Sequence, residues 1–141
     1  MKKILSTLTI LALIFSVSCS SRDDSSSTEM SNTTTTVETN TWVKLTATTS
    51  ANVNKSNYII MMFDQPVTNT AALPPILKQV TTDANGLGYL DLNSIITSTT
   101  LKTYYFEAFV QNGSNYTLKS ITHPTFNISK GKMITSSIIV N

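Results

Sequence analysis

The 141-residue chain has one Cys (Cys19), one His (His123), one Trp (Trp42), four Gly and four Pro. One Cys and one His cannot supply the three or four N/S ligands of a zinc site, and a lone Cys has no intrachain disulfide partner. Charged residues make up only 13% of the chain, which excludes a charge-rich disordered protein or a coiled coil. The sparse Gly and Pro exclude a collagen-like one. Ten Lys and Arg stand against eight Asp and Glu. Two of the ten, Lys2 and Lys3, lie in a leader expected to be removed, leaving 10 − 2 = 8 basic against 8 acidic residues. A neutral balance lacks the electrostatic footprint of nucleic-acid binding, so no nucleic acid is expected as a partner. There is no Gly-rich phosphate loop, Walker pattern or HExxH. No cofactor and no metal are expected.

Residues 1–18 have the three parts of a secretory signal. Lys2 and Lys3 form a positive start, Ile4 to Val17 an apolar run, and small Ser16 and Ser18 precede a cut. Fourteen helical residues rise about 21 Å, short of the roughly 30 Å hydrocarbon core, so the run suits export better than permanent spanning. Cys19 follows at the cut, in Phe15-Ser16-Val17-Ser18-Cys19-Ser20. This resembles the lipobox of bacterial lipoproteins, with Ser16 standing where most lipoboxes carry Leu, as in relaxed versions from Bacteroidota-type lipoproteins. The resemblance implies diacylglycerol on the Cys19 thiol and a membrane as partner. Ordinary cleavage before a free thiol is the alternative, disfavoured because an unpaired reactive thiol is a liability after export. Ser20 directly after the Cys looks like lipoproteins sent to the outer membrane. Asp23-Asp24 resembles the surface-export signal of Bacteroidota-type lipoproteins, and reads equally as solvated linker charge.

Thirteen of the 22 residues from 20 to 41 are Ser or Thr, and only Met30 and Val37 are apolar. Such a stretch cannot bury enough apolar surface to offset its ordering entropy. It reads as a disordered tether, so the expected organisation is signal peptide 1–18, lipidated Cys and tether 19–41, and one domain 42–141.

From Trp42 onward strands alternate with turn residues and no helical period is sustained. Val43, Leu45 and Ala47 alternate with Lys44, Thr46 and Thr48, predicting a strand with one buried face. Tyr58 to Phe63 is an apolar run ending at Asp64-Gln65-Pro66, a central strand stopped by Pro. Segments Ile76–Thr82 and Gly88–Leu92 flank Asp83-Ala84-Asn85-Gly86, a hairpin signal because Asn-Gly tolerates positive φ. A strand is predicted over Thr103–Val110, with others over Tyr116–Ile121, Phe126–Ile128 and Met133–Val140. Asn93 to Thr100 reads as one helical turn or a loop, with Ile95, Ile96 and Leu101 packing beneath. The expected fold is an all-β, antiparallel sandwich of seven or eight strands.

The order of features between residues 76 and 110 resembles the carboxypeptidase-regulatory-like, transthyretin-like sandwiches. It rests on Thr82-Asp83-Ala84-Asn85-Gly86, on Tyr89-Leu90-Asp91-Leu92, and on Tyr104-Tyr105-Phe106-Glu107-Ala108. The first half lacks the Gly-rich opening of that family, so immunoglobulin-like topology stays open. The resemblance implies an accessory binding or structural module rather than an enzyme.

Chemistry is sparse. His123 precedes Pro124, which favours extended or turn geometry, and it reads as a surface or partly packed residue. The domain's four acids are Asp64, Asp83, Asp91 and Glu107, with Asp83 assigned to its turn and Asp91 and Glu107 expected to face outward. No catalytic residue is assigned. Aromatics carry what binding potential there is. Tyr105 and Phe109 share a strand face with Glu107, and Trp42 opens the domain, making all three candidates for contact with a glycan or an envelope protein. The competing reading is a central strand with that face covered by a loop, and Trp42 as a core plug where the tether enters. The expectation is a lipid-anchored, non-enzymatic surface module of the bacterial outer membrane, with a small carbohydrate-binding module as the alternative.

Overall fold

The computed structural model describes residues 40–141. The expected signal peptide, Cys19 and the tether up to Thr39 lie outside the described residues. The described part is all-β, with eight strands in two packed sheets. The strands are β1 (Trp42–Thr48), β2 (Ile59–Phe63), β3 (Lys78–Thr81), β4 (Leu87–Asp91), β5 (Lys102–Asn112), β6 (Asn115–Leu118), β7 (Thr125–Ile128) and β8 (Met133–Ile139). Thr41, expected in the tether, is fully buried and belongs to the fold. Its N–H donates to Asn93 Oδ1, its C=O accepts from Leu92 N–H, and its hydroxyl accepts from Gly131 N–H.

One sheet has the order β4-β1-β8 and the other β3-β2-β5-β6, with β7 also paired to β5. β1 buries Val43, Leu45 and Ala47 and turns Trp42, Lys44 and Thr46 outward, the period-2 pattern of a half-buried strand. β2 is buried at all five positions. Ile60 and Met62 face the partner sheet with Phe106, Ala108, Leu45 and Leu90, while Ile59, Met61 and Phe63 face the other way with Phe109. Val67, Leu73, Tyr116 and Leu118 cover this second face. The domain therefore has two apolar layers, one between the sheets and one outside the five-stranded sheet.

The pairing is antiparallel except between β1 and β8, which run parallel over Trp42–Thr48 and Met133–Ile139. An all-antiparallel sheet was expected. The first and last strands escape that rule because they are joined by the whole intervening chain, not by a tight turn.

The Asp83–Gly86 turn also departs from expectation. It closes locally like a hairpin: Gly86 N–H donates to Asp83 C=O and Asp83 N–H to Leu87 C=O. Beyond it the strands part, β3 pairing with β2 and β4 with β1. Only Gly86 has positive φ (75°); Asn85 does not. Asp83 Oδ1 fixes the bend by accepting from Asn85 and Leu87 N–H. Gly88 then lets the sheets close together, since a Cβ there would lie 2.9 Å from Ile60 Cδ1 and 3.0 Å from Val80 Cγ1.

Residues 93–100 form no helix. A single turn, in which Ile95 and Ile96 N–H donate to Leu92 C=O, buries Ile96. Leu101, expected to pack beneath, is 62% exposed. It stands just before β5, on the open side of this loop.

Gly86 is the position where backbone and space agree. A Cβ there would lie 2.8 Å from Ala47 O and 2.9 Å from Lys55 N, two backbone atoms already hydrogen-bonded to each other. Gly86→Val is expected to cost about 3 kcal/mol, combining left-handed strain with a backbone clash. A thermal melt checks this, with a midpoint lowered by more than about 10 °C expected for a domain of this size.

Candidate functional site

The four acids of the domain are all engaged. Asp83 holds its turn. Asp64 pairs with Lys102 Nζ at 3.3 Å on a largely exposed surface, a contact worth at most about 1 kcal/mol. Asp91 accepts from the backbone and side-chain N–H groups of Asn93. Glu107 is the exception to the expectation of outward acids: it is only 5% exposed. Its strand face is roofed by the second apolar layer, so facing away from the main core does not bring it to solvent.

Glu107 is paired with the chain's one imidazole. His123 Nδ1 lies 2.9 Å from each carboxylate oxygen, and the His123 ring is more than half exposed, as a partly packed surface residue should be. The pair fills a gap in the ladder. β6 and β7 lie end to end along one edge of β5, covering Phe109–Asn112 and Lys102–Tyr105 respectively. Between them Ser120 Oγ accepts from Ala108 N–H at 2.6 Å, and Phe106 N–H donates to Pro124 C=O. Glu107 and His123 tie down the same excursion. Among the described residues no hydroxyl hydrogen-bonds the His123 ring, and no three His, Cys, Asp or Glu side chains gather as metal ligands do.

The aromatic candidates divide. Phe109 is fully buried, edge-on to Phe63 and Tyr116 at 6.4 and 6.3 Å. It is a core residue and offers no ring to a ligand. Tyr105 is half-buried in the same layer. β5 is thus a central strand whose second face is covered, by the 64–77 connection and by β6, and the alternative of an open aromatic face there is lost.

Trp42 belongs elsewhere, on the outer face of the three-stranded sheet. Tyr89 of β4 lies diagonally across, with ring centroids 6.1 Å apart and planes tilted by 44°. Lys44 Nζ sits 4.7 Å from the Trp42 ring centre and 5.6 Å from that of Tyr89. Tyr89 is 46% exposed and Trp42 half-buried. Asp91 and Met133 flank Trp42 across the strands, and Thr135 and Ser137 continue the face along β8. Two rings, an ammonium group and a row of hydroxyls can stack on a sugar ring and hydrogen-bond its hydroxyls. Sequence reasoning singled out Trp42 but missed Tyr89. The signal was present, because buried Leu90 and Leu92 put Tyr89 outside, but its place beside Trp42 depends on the β1–β4 register.

No protein-family model and no curated protein sequence matches the chain.

Burial makes Phe109 a test of this division. Phe109→Ala is expected to cost about 3–5 kcal/mol, within the range for a buried Phe. Trp42→Ala, which removes a half-exposed ring, should cost less than half as much. Chemical denaturation of both variants measures the difference.

Proposed function

We propose that the chain is a lipid-anchored β-sandwich of the bacterial cell envelope, acting as a non-enzymatic binding or structural surface module of the outer membrane. The observation that carries this reading is Cys19, directly behind an apolar run too short to span and ahead of a Ser/Thr tether leading into one domain. An exported chain with a single Cys finds its simplest use for that thiol in acylation. Each buried CH₂ of an acyl chain contributes about 0.8 kcal/mol, so two or more chains hold a small domain firmly. The engagement of all four domain carboxylates in turns, a histidine hydrogen bond and one ion pair supports a binding or structural role over hydrolysis.

A transthyretin-like architecture fits better than an immunoglobulin-like one. In immunoglobulin domains the first two strands share a sheet, whereas β1 and β2 lie in different sheets. The residues that carry the resemblance fall in consecutive elements, the β3–β4 turn, the end of β4, and β5.

A second reading, carbohydrate recognition, is favoured by the Trp42–Lys44–Tyr89 cluster. Of the three aromatics first considered it keeps Trp42 as its principal ring, adds Tyr89, and loses Phe109 to the core.

Cys19→Ala is expected to move the protein from the membrane fraction to the soluble fraction or to uncleaved precursor. Detergent-phase partitioning measures this, and unchanged partitioning would remove the anchor. For the second reading, Trp42→Ala with Tyr89→Ala should abolish glycan-array binding with the circular dichroism spectrum intact. Array binding retained by that double variant would count against it.

A further inference from the structure

The exposed edges of the two sheets are not alike. β3, β6 and β7 are four residues long, and β3 begins with Lys78. β4 carries Asp91, and Leu87 on its outer edge is already bonded to Asp83 through both N–H and C=O. β8 is a seven-residue edge strand without a charge, Gly or Pro, the devices that ordinarily blunt such edges.

Its hydrogen-bonding groups can be assigned by parity. Trp42 N–H donates to Lys132 C=O and Val140 N–H to Thr48 C=O, so the even-numbered residues of β8 face β1. The odd-numbered residues Met133, Thr135, Ser137 and Ile139 direct their backbone groups outward. Ile139 is capped: its N–H donates to Thr122 Oγ1 and its C=O accepts from Ile121 N–H. Among the described residues nothing pairs with the backbone of Met133, Thr135 or Ser137. That leaves three N–H and three C=O groups along five residues, carried by the three exposed residues Met133 (57% exposed), Thr135 and Ser137.

We propose that this edge pairs with the same edge of a second copy of the chain, antiparallel and centred on Thr135. A two-fold axis there sets Thr135 against Thr135 and Met133 against Ser137, and every outward backbone group finds its partner. The open stretch is an odd run with a residue at its centre, which is the condition for an antiparallel strand to be its own complement. No like charges meet, and Thr opposite Thr is a favourable cross-strand pair. The 120–122 segment at Ile139 limits the seat to five residues. A longer extended peptide would run into it, whereas β8 of a second copy begins at Met133, opposite Ser137, two residues short of it.

The experiment uses the purified full-length chain in detergent. Thr135→Cys places two thiols on the axis, about 5.5 Å apart at Cα, within reach of a disulfide. A disulfide-linked dimer on a non-reducing gel is expected for Thr135→Cys. None is expected for the unsubstituted chain, whose only Cys is Cys19, nor for Thr46→Cys on the central strand of the same face. In sedimentation at about 100 μM the unsubstituted chain should be a dimer. Thr135→Lys, which sets two ammonium groups face to face, should make it monomeric with an unchanged circular dichroism spectrum. A monomeric unsubstituted chain would overturn the proposal, meaning that another protein or the chain's own N-terminal segment covers the edge. So would a dimer that Thr135→Lys leaves intact.

Discussion

β5 is the strand on which everything else is hung. It is paired on both edges and covered on both faces, with Phe106 and Ala108 in the layer between the sheets and Phe109 and Glu107 in the layer outside. β2 takes one edge, and two four-residue strands share the other, because neither β6 nor β7 is long enough to match eleven residues. The mismatch leaves a gap that backbone and side-chain groups close together. Ser120 and the backbone of Lys119 and Pro124 close it, and beside them the chain's only imidazole meets the one buried carboxylate among the described residues. A buried carboxylate is costly unless it is hydrogen-bonded, and His123 Nδ1 supplies that partner for Glu107.

That economy has a consequence for function. Acids elsewhere that could have served chemistry are used to bend or brace the chain. Among the described residues, the outer face of β4-β1-β8 is open. The two sheets differ here: the five-stranded sheet is roofed by Val67, Leu73 and β6, whereas the three-stranded one presents Trp42, Lys44, Tyr89 and a row of hydroxyls. Under the proposed binding reading, this is the face that would take a ligand.

Much of this was legible in local pattern. Strict alternation in β1, the continuous apolar run of β2 and the terminator Asp64-Gln65-Pro66 each follow from which faces are buried. What was not legible depends on contacts distant in sequence. The Asp83–Gly86 turn reads as a hairpin because its chemistry is that of a hairpin; the divergence of β3 and β4 follows from pairing with β2 and β1. Glu107 and Phe109 have the parity of the face away from the main core, and although a covering loop is one reading of that face, no nearby residue announces that the 64–77 connection supplies the cover. Tyr89 was identified as part of a turn-and-strand pattern, yet its contact with Trp42 is set by a register in which Lys44 opposes Tyr89 and Trp42 opposes Asp91. Alternation fixes the face a residue occupies; register fixes its neighbours on that face.

The open face and the open edge belong to the same sheet, so pairing along β8 would bear directly on binding. Two copies joined at Thr135 would form a continuous sheet in the order β4-β1-β8-β8-β1-β4. The two β1 strands would then stand three strand spacings apart, about 14 Å. Trp42 is level with Met133, and Met133 with Ser137 of the other copy, which offsets the two Trp42 positions by four residues, about 13 Å along the strands. The aromatic clusters would lie roughly 20 Å apart on one surface, separated by the Thr and Ser rows of both β8 strands. A single half-exposed Trp–Tyr pair is a weak site. Two of them at a fixed spacing can engage one long repetitive ligand, and the second contact then forms at a high effective concentration. A neutral, hydroxyl-lined edge would thereby turn a modest surface into a bivalent one.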